Sequence, residues 1–232
     1  MEFSVVLCPS FFLPSEKATS SLQTVLNTPA HHTPREWLDI VLENDPEHNY
    51  IVTNLWHYKQ RRPLLDCQHE FIVLEVRPRH PPSPAPAPTL IRVSRTLVND
   101  SFVARLGLWG PATNTIEIPP PGTQFTDHCL HQLTWPQNRA PDLYHISRFI
   151  HAIHTAMPRY FLVRTSCYAF AGAIKDSIHI RFNGLGGPQP SGCLTRESHF
   201  MWCIPTGTTK AQGVAAGMAA YSLDGEEHGQ GE

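Results

Sequence analysis

The alternation of apolar and polar positions divides the chain into stretches of different periodicity. Residues 1–33 mix apolar, Ser, Thr and Pro positions without a sustained repeat, which predicts a poorly ordered arm. Thr33-Pro34-Arg35-Glu36 then carries a helix start. Threonine stands at the N-cap, proline at the first helical position, and Glu36 where a capping box requires it. Trp37, Ile40 and Val41 supply the apolar stripe, and Asp45-Pro46 stops the helix. A second amphipathic stretch, Tyr50 to Tyr58, reads as another helical segment ending in the basic cluster Lys59-Gln60-Arg61-Arg62.

From Leu64 the pattern changes to that of strands. Leu64 to Val76 is β-branched and aromatic, a mostly buried strand. Thr89 to Val98 alternates, with Leu90, Arg92, Ser94 and Thr96 on one face and Ile91, Val93, Arg95 and Leu97 on the other. Phe102 to Trp109, Thr115 to Ile118 and Cys129 to Trp135 are shorter strand candidates. Two helical patterns follow. Pro141 to Met157 spaces Leu143, Ile146, Phe149, Ile150 and Ile153 for one face, and Cys167 to Phe182 stacks Phe170, Ala171, Ile174 and Ile178 beneath the cysteine. Between them, Tyr160 to Val163 reads as a short strand. Beyond Asn183 the periodicity is lost, so residues 183–232 are expected to be a mostly disordered tail, with Phe200 to Ile204 docking locally. The prediction is an α+β fold: one domain over 34–182, built on a small antiparallel sheet packed against helices, with flexible ends.

Composition narrows the function classes. The chain has 232 residues, 22 of them proline, and only 16% are charged, against about 25% in average proteins. Proline gathers in the run His80 to Pro88 and at Pro119-Pro120-Pro121, where it punctuates a sheet rather than joining it. A formal net charge of −2 lacks the basic footprint of a nucleic-acid binder. No run approaches the roughly 18 apolar residues of a membrane span, and the first residues lack the basic segment of a signal peptide. Six cysteines at wide spacings form no disulfide scaffold, which points to a reducing, cytoplasmic setting.

Chemistry is suggested first by Cys167. It follows a short apolar strand and opens a helix, where unpaired backbone N–H groups and the helix dipole favour an anion. Such positions lower a cysteine pKa from about 8.5 toward about 3.5–7.5, and the same N–H groups can face an oxyanion. A buried cysteine packed beside Phe170 and Ile174 is the plainer alternative. For a base, His69 stands out among 14 histidines because a strand would hold its ring rigidly. Metal binding is a second class: His128-Cys129-x-His131, His151-x-x-His154 and His31-His32 are rich in ligand types, but none has the spacing of a structural zinc site. No cofactor or metal is expected. A non-enzymatic interaction module, using the proline loops and the basic turn Lys59 to Arg62, is the third.

A strand with histidine, further strands and then a helix opening with cysteine is the chain order of circularly permuted papain-like proteins. Gln68-His69-Glu70-Phe71-Ile72-Val73, with the later Ser166-Cys167-Tyr168-Ala169-Phe170-Ala171, resembles the histidine strand and cysteine helix of NlpC-like and lecithin-retinol-acyltransferase-like proteins. Leu130 to Trp135, the helix Leu143 to Ala156 and the Cys-Tyr-x-Phe-Ala segment are similar to a group of fungal proteins. The resemblance covers roughly residues 34–182. It implies a permuted papain-like fold in which Cys167 is the nucleophile and His69 the base. The implied activity is that of a thiol hydrolase or acyltransferase acting on an acyl or peptide substrate. An inactive relative that binds a partner is the alternative. Ser166 replaces the family's usual amide-bearing residue, and Arg92, Ser94 and Arg95 stand where a third polar residue orienting the histidine would be His, Asn or Gln.

Overall fold

In the computed structural model, the described residues are 21–60, 69–97, 109–161, 167–188, 199–200, 204–205 and 207–227. The expected helix start at Thr33 is formed. Helix α2 (Pro34–Asn44) is capped by Thr33, whose Oγ1 accepts from the Glu36 N–H at 3.3 Å while the Thr33 N–H donates to Glu36 Oε2 at 2.8 Å. Its Trp37 and Val41 are buried, and the Trp37 Nε1–H reaches Ser147 Oγ at 2.9 Å on the helix beneath.

Part of the N-terminal arm is ordered, contrary to the expectation for 1–33. Helix α1 (Leu22–Leu26) buries Leu22 and Leu26, and strand β1 (Ala30–His32) pairs with Ile116 to Ile118. These few apolar residues have too short a period to register in sequence, and they order through contact with the core. Residues 1–20 lie outside the described set.

Tyr50 to Tyr58 is a strand, not a helical segment. Strand β2 (Tyr50–Lys59) turns Leu55, His57 and Lys59 to one side and the half-buried Trp56 and Tyr58 to the other. A bulge between Val52 and Asn54 breaks the two-residue alternation, so its first half imitates a helical stripe. Strands β3 (Glu70–Pro78), β4 (Thr89–Leu97) and β6 (His128–Thr134) match the expected strand regions, and β5 (Trp109–Ile118) runs unbroken from the end of one short candidate through the other. Of those regions, 64–68 and 102–108 lie outside the described residues. With β8 (Leu185–Pro188) they form an antiparallel sheet of order β1-β5-β4-β3-β2-β6-β8, and β7 (Arg159–Phe161) pairs with the far end of β5. β9 (His199–Phe200) and β10 (Ile204–Pro205) make a small separate pair.

One face of the sheet carries Leu55, Ile72, Leu74, Ile91, Val93, Ile116 and Leu133, all buried. Helices α3 (Leu143–Ala156) and α4 (Cys167–Phe182) cover this face, α4 lying across β3 with β4 and β2 on either side. The tail is the largest departure from expectation. Residues Gly207–Glu227 form helix α5, packed on both α3 and α4. Its Ala- and Gly-rich sequence has no strong apolar stripe, so it reads as tail. It docks because Gly213 and Gly217, one turn apart, admit close approach: a Cβ at Gly213 would fall 2.7 Å from Ala173 Cβ, and one at Gly217 2.8 Å from Ser177 Oγ. Lys210 Nζ to Asp176 Oδ2 (2.6 Å), Arg148 Nη2 to the Ala220 carbonyl (2.8 Å) and the stacked rings of Phe149 and Tyr221 fix the register. Covered by α5 on its outer side and the sheet on its inner side, α4 is buried nearly all round over Cys167–Ile178. No helix among the described residues is long and apolar enough to cross a membrane.

Candidate functional site

Cys167 is the first residue of α4 and is 3% exposed, packed with Tyr168 in a small cluster of its own. The next turn of the helix is fixed to the sheet from two sides. Phe170 lies beneath the Arg95 guanidinium of β4, 5.3 Å from its ring centroid, and Tyr168 beneath the Lys59 ammonium of β2, at 5.1 Å. Strand β3 runs between these strands, and its first residue, Glu70, is fully buried.

The sheet face beneath the start of α4 is therefore polar where the rest is apolar. His57 Nε2 is 2.8 Å from Glu70 Oε2, and Lys59 Nζ is 3.5 Å from Glu70 Oε1. All three side chains are at most 2% exposed. The His57 contact is electrostatic rather than a well-directed hydrogen bond. The strand register explains the grouping: Lys59 pairs with Glu70 and His57 with Ile72, so His57, Lys59 and Glu70 share the face of Leu55, Ile72 and Leu74. Ions are removed from water here at a cost that mutual attraction offsets only when the geometry is close.

Beside this group a second network ties the sheet to the end of α3. Arg95, fully buried, donates to Asn114 Oδ1 at 3.2 Å and to the carbonyls of Met157 and Arg159 at 2.5 and 2.7 Å. Since Asn114 Oδ1 is accepting, its amide Nδ2 donates to His154 Nδ1 at 2.5 Å, which places the His154 proton on Nε2. Burial, and then the Arg95 charge, push the His154 pKa below the ordinary histidine value.

The structure does not bring the two expected site residues onto one face. The His69 ring is stacked at 6.3 Å and 21° on Phe71, its neighbour two positions along the strand. Phe71 in turn meets Tyr58, Phe125 and Arg92 on the side of the sheet away from α4. Cys167 belongs to the helix side. The residues that do share its side, His57, Lys59, Glu70 and Arg95, were missed for definite reasons. In sequence Lys59 opens the basic cluster Lys59 to Arg62, and His57 stands in a stretch that reads as helical. Glu70 stands one position from His69 and so points the opposite way. A period-two reading of Leu55-x-His57-x-Lys59 is the signal that would have found them.

The histidine clusters considered for metal do not converge. His151 and His154 have ring centroids 6.4 Å apart along α3, and His131 faces His179 at the same separation. Among the described residues no group of three or more His, Cys, Asp or Glu is placed to hold a metal ion. Burial raises the Cys129 thiol pKa, so it is a poor nucleophile. Comparison with protein-family models, curated proteins and solved structures gave no match.

Proposed function

We propose that the chain is a cysteine-dependent hydrolase or acyltransferase, with Cys167 as nucleophile and His57, oriented by Glu70, as base in place of His69. One observation supports this most. A thiol opens a helix at the end where that helix lies over a buried carboxylate held 2.8 Å from an imidazole. This meets the need for a nucleophile at a helix N-terminus and for a base steadied by a third group. Chain order, with the strands before the cysteine helix, keeps a permuted papain-like origin part of the reading.

The reaction would run in two steps. His57 takes the thiol proton, and the thiolate sulfur of Cys167 attacks an ester or amide carbonyl. Backbone N–H groups of the first helical turn face the resulting oxyanion. The C–O or C–N bond breaks, the imidazolium returns the proton to the leaving alcohol or amine, and a thioester remains. Water, or an acceptor nucleophile, then releases the acyl group and regenerates the thiol.

A second reading is favoured by the burial of this group: at 3% exposure, Cys167 is packed as a core residue. In that case the chain is an inactive relative that serves as an interaction module. Incubation with p-nitrophenyl acetate, followed by peptide mapping, separates the two. The first reading expects an acyl group on Cys167, absent from Cys167→Ala and formed at least about a hundredfold more slowly in His57→Ala. Acylation elsewhere, or none, leaves the second reading.

A further inference from the structure

The sheet face away from α4 carries a groove that the thiol chemistry does not use. Its open volume is about 700 Å³, within the range of about 300–1,000 Å³ usual for ligand sites. Strands β2, β3 and β4 supply the floor through Trp56, Tyr58, Val73, Glu75 and Leu90, and the turn 119–125 forms a wall. The polar groups of the floor are specific. Glu75 Oε1 accepts from Thr53 Oγ1 (2.7 Å), Arg77 Nε (2.9 Å) and Asn54 Nδ2 (3.1 Å), while Oε2 has no hydrogen bond among the described residues. Burial alone would raise the Glu75 pKa, but these bonds outweigh it and hold the carboxyl below its ordinary value, so a fixed negative charge lines the groove.

Trp56 is the diagonal neighbour of Glu75, since Trp56 pairs with Val73 and Asn54 with Glu75. Such neighbours are about 7–8 Å apart, within reach of one ligand side chain. Trp56 is half-buried, and among the described residues its indole N–H and the Tyr58 hydroxyl have no hydrogen-bond partner, while the Tyr58 ring is held by Phe71 and Phe125. The groove therefore offers an anion beside an aromatic face, with two free donors along an apolar trough. Arg77, 44% exposed and not among the groove-lining residues, pairs with Glu75 through Oε1.

We propose that this groove binds an extended peptide segment through a lysine or arginine side chain seated between the Trp56 ring and the Glu75 carboxylate. A cation meets both the ring quadrupole and the anion there. The peptide's own carbonyls are the acceptors that Trp56 Nε1 and Tyr58 Oη lack. The proposal does not rest on the proposed function, because Cys167 lies on the other side of the sheet.

The test uses the full purified chain to select binders from a library of random pentapeptides. Lysine or arginine is expected to be enriched among the peptides retained, and the enrichment to be lost with both Glu75→Gln and Trp56→Ala. A selected peptide, labelled and titrated by anisotropy, is expected to bind each variant roughly three- to thirtyfold more weakly, and to weaken with salt. Circular dichroism of both variants confirms that they fold. Binders without basic enrichment, no binders at all, or an enrichment that survives both substitutions in folded protein would each overturn the proposal.

Discussion

Replacing Glu70 by leucine removes the carboxylate that lies between Lys59 and His57 and keeps a side chain of similar bulk. Lys59 is 2% exposed with its Nζ 3.5 Å from Glu70 Oε1, so the single substitution leaves an ammonium in the core without that countercharge. Breaking one side of a buried ion pair costs about 3–5 kcal/mol. Losing the 2.8 Å contact to His57 adds about 1 kcal/mol. In a chain of this size about 1 kcal/mol corresponds to about 2–4 °C, so Tm should fall by roughly 10–20 °C. The double variant Glu70→Leu/Lys59→Met removes both charges and refills the space with apolar atoms. Replacing a whole buried pair in this way is often neutral, so only the His57 loss of about 1 kcal/mol should remain. Guanidinium titrations of wild type, single and double variants measure this, with m-values compared to check that unfolding stays two-state. If single and double variants are equally destabilised, Lys59 does not depend on Glu70 and the description of the polar layer is wrong.

Other parts of the fold give independent predictions. Gly217→Val inserts a side chain where a Cβ already meets Ser177 Oγ at 2.8 Å and Phe149 Cδ1 at 2.9 Å, and should cost about 1–3 kcal/mol by thermal melts. Gly187→Ala, with nothing within 4 Å, should change stability by less than about 0.5 kcal/mol and serves as the control. Stability should also fall between about pH 7.5 and about pH 5.5. His32, His48, His145, His151 and His154 all have pKa values lowered in the folded chain, chiefly by burial. The unfolded chain then binds more protons as pH drops through its own histidine pKa near 6.5, and stability is lost until the lower folded values are reached. The raised pKa of Asp45 opposes this only toward more acid pH. A flat or rising midpoint of unfolding over that interval would contradict the burial of these rings, and His154→Gln should flatten the slope.

Strands with an unbroken two-residue alternation were legible in the sequence. In β4, the division into Ile91, Val93 and Arg95 against Leu90 and Arg92 matches the buried and partly exposed faces, and the capping box of α2 is present as read. What failed depended on contacts distant in sequence. The bulge in β2 hid a central strand, and α5 needs the surfaces of α3 and α4 to give its small residues a role. The nucleophile candidate was legible because a helix start is a local signal. The side chains on its side of the sheet were not, since strand parity decides whether Glu70 or His69 faces the helix, and parity is fixed by pairing with Lys59 across the sheet.

The most direct test compares the rate at which Cys167 is alkylated by iodoacetamide near pH 7 in the wild type, His57→Ala and His69→Ala, with peptide mapping to separate it from the other five cysteines. The account predicts that His57→Ala slows Cys167 alkylation by about tenfold or more, while His69→Ala leaves it within about twofold. Slowing by His69→Ala with His57→Ala unchanged would show that the strand histidine on the outer face, and not the buried pair, serves the thiol.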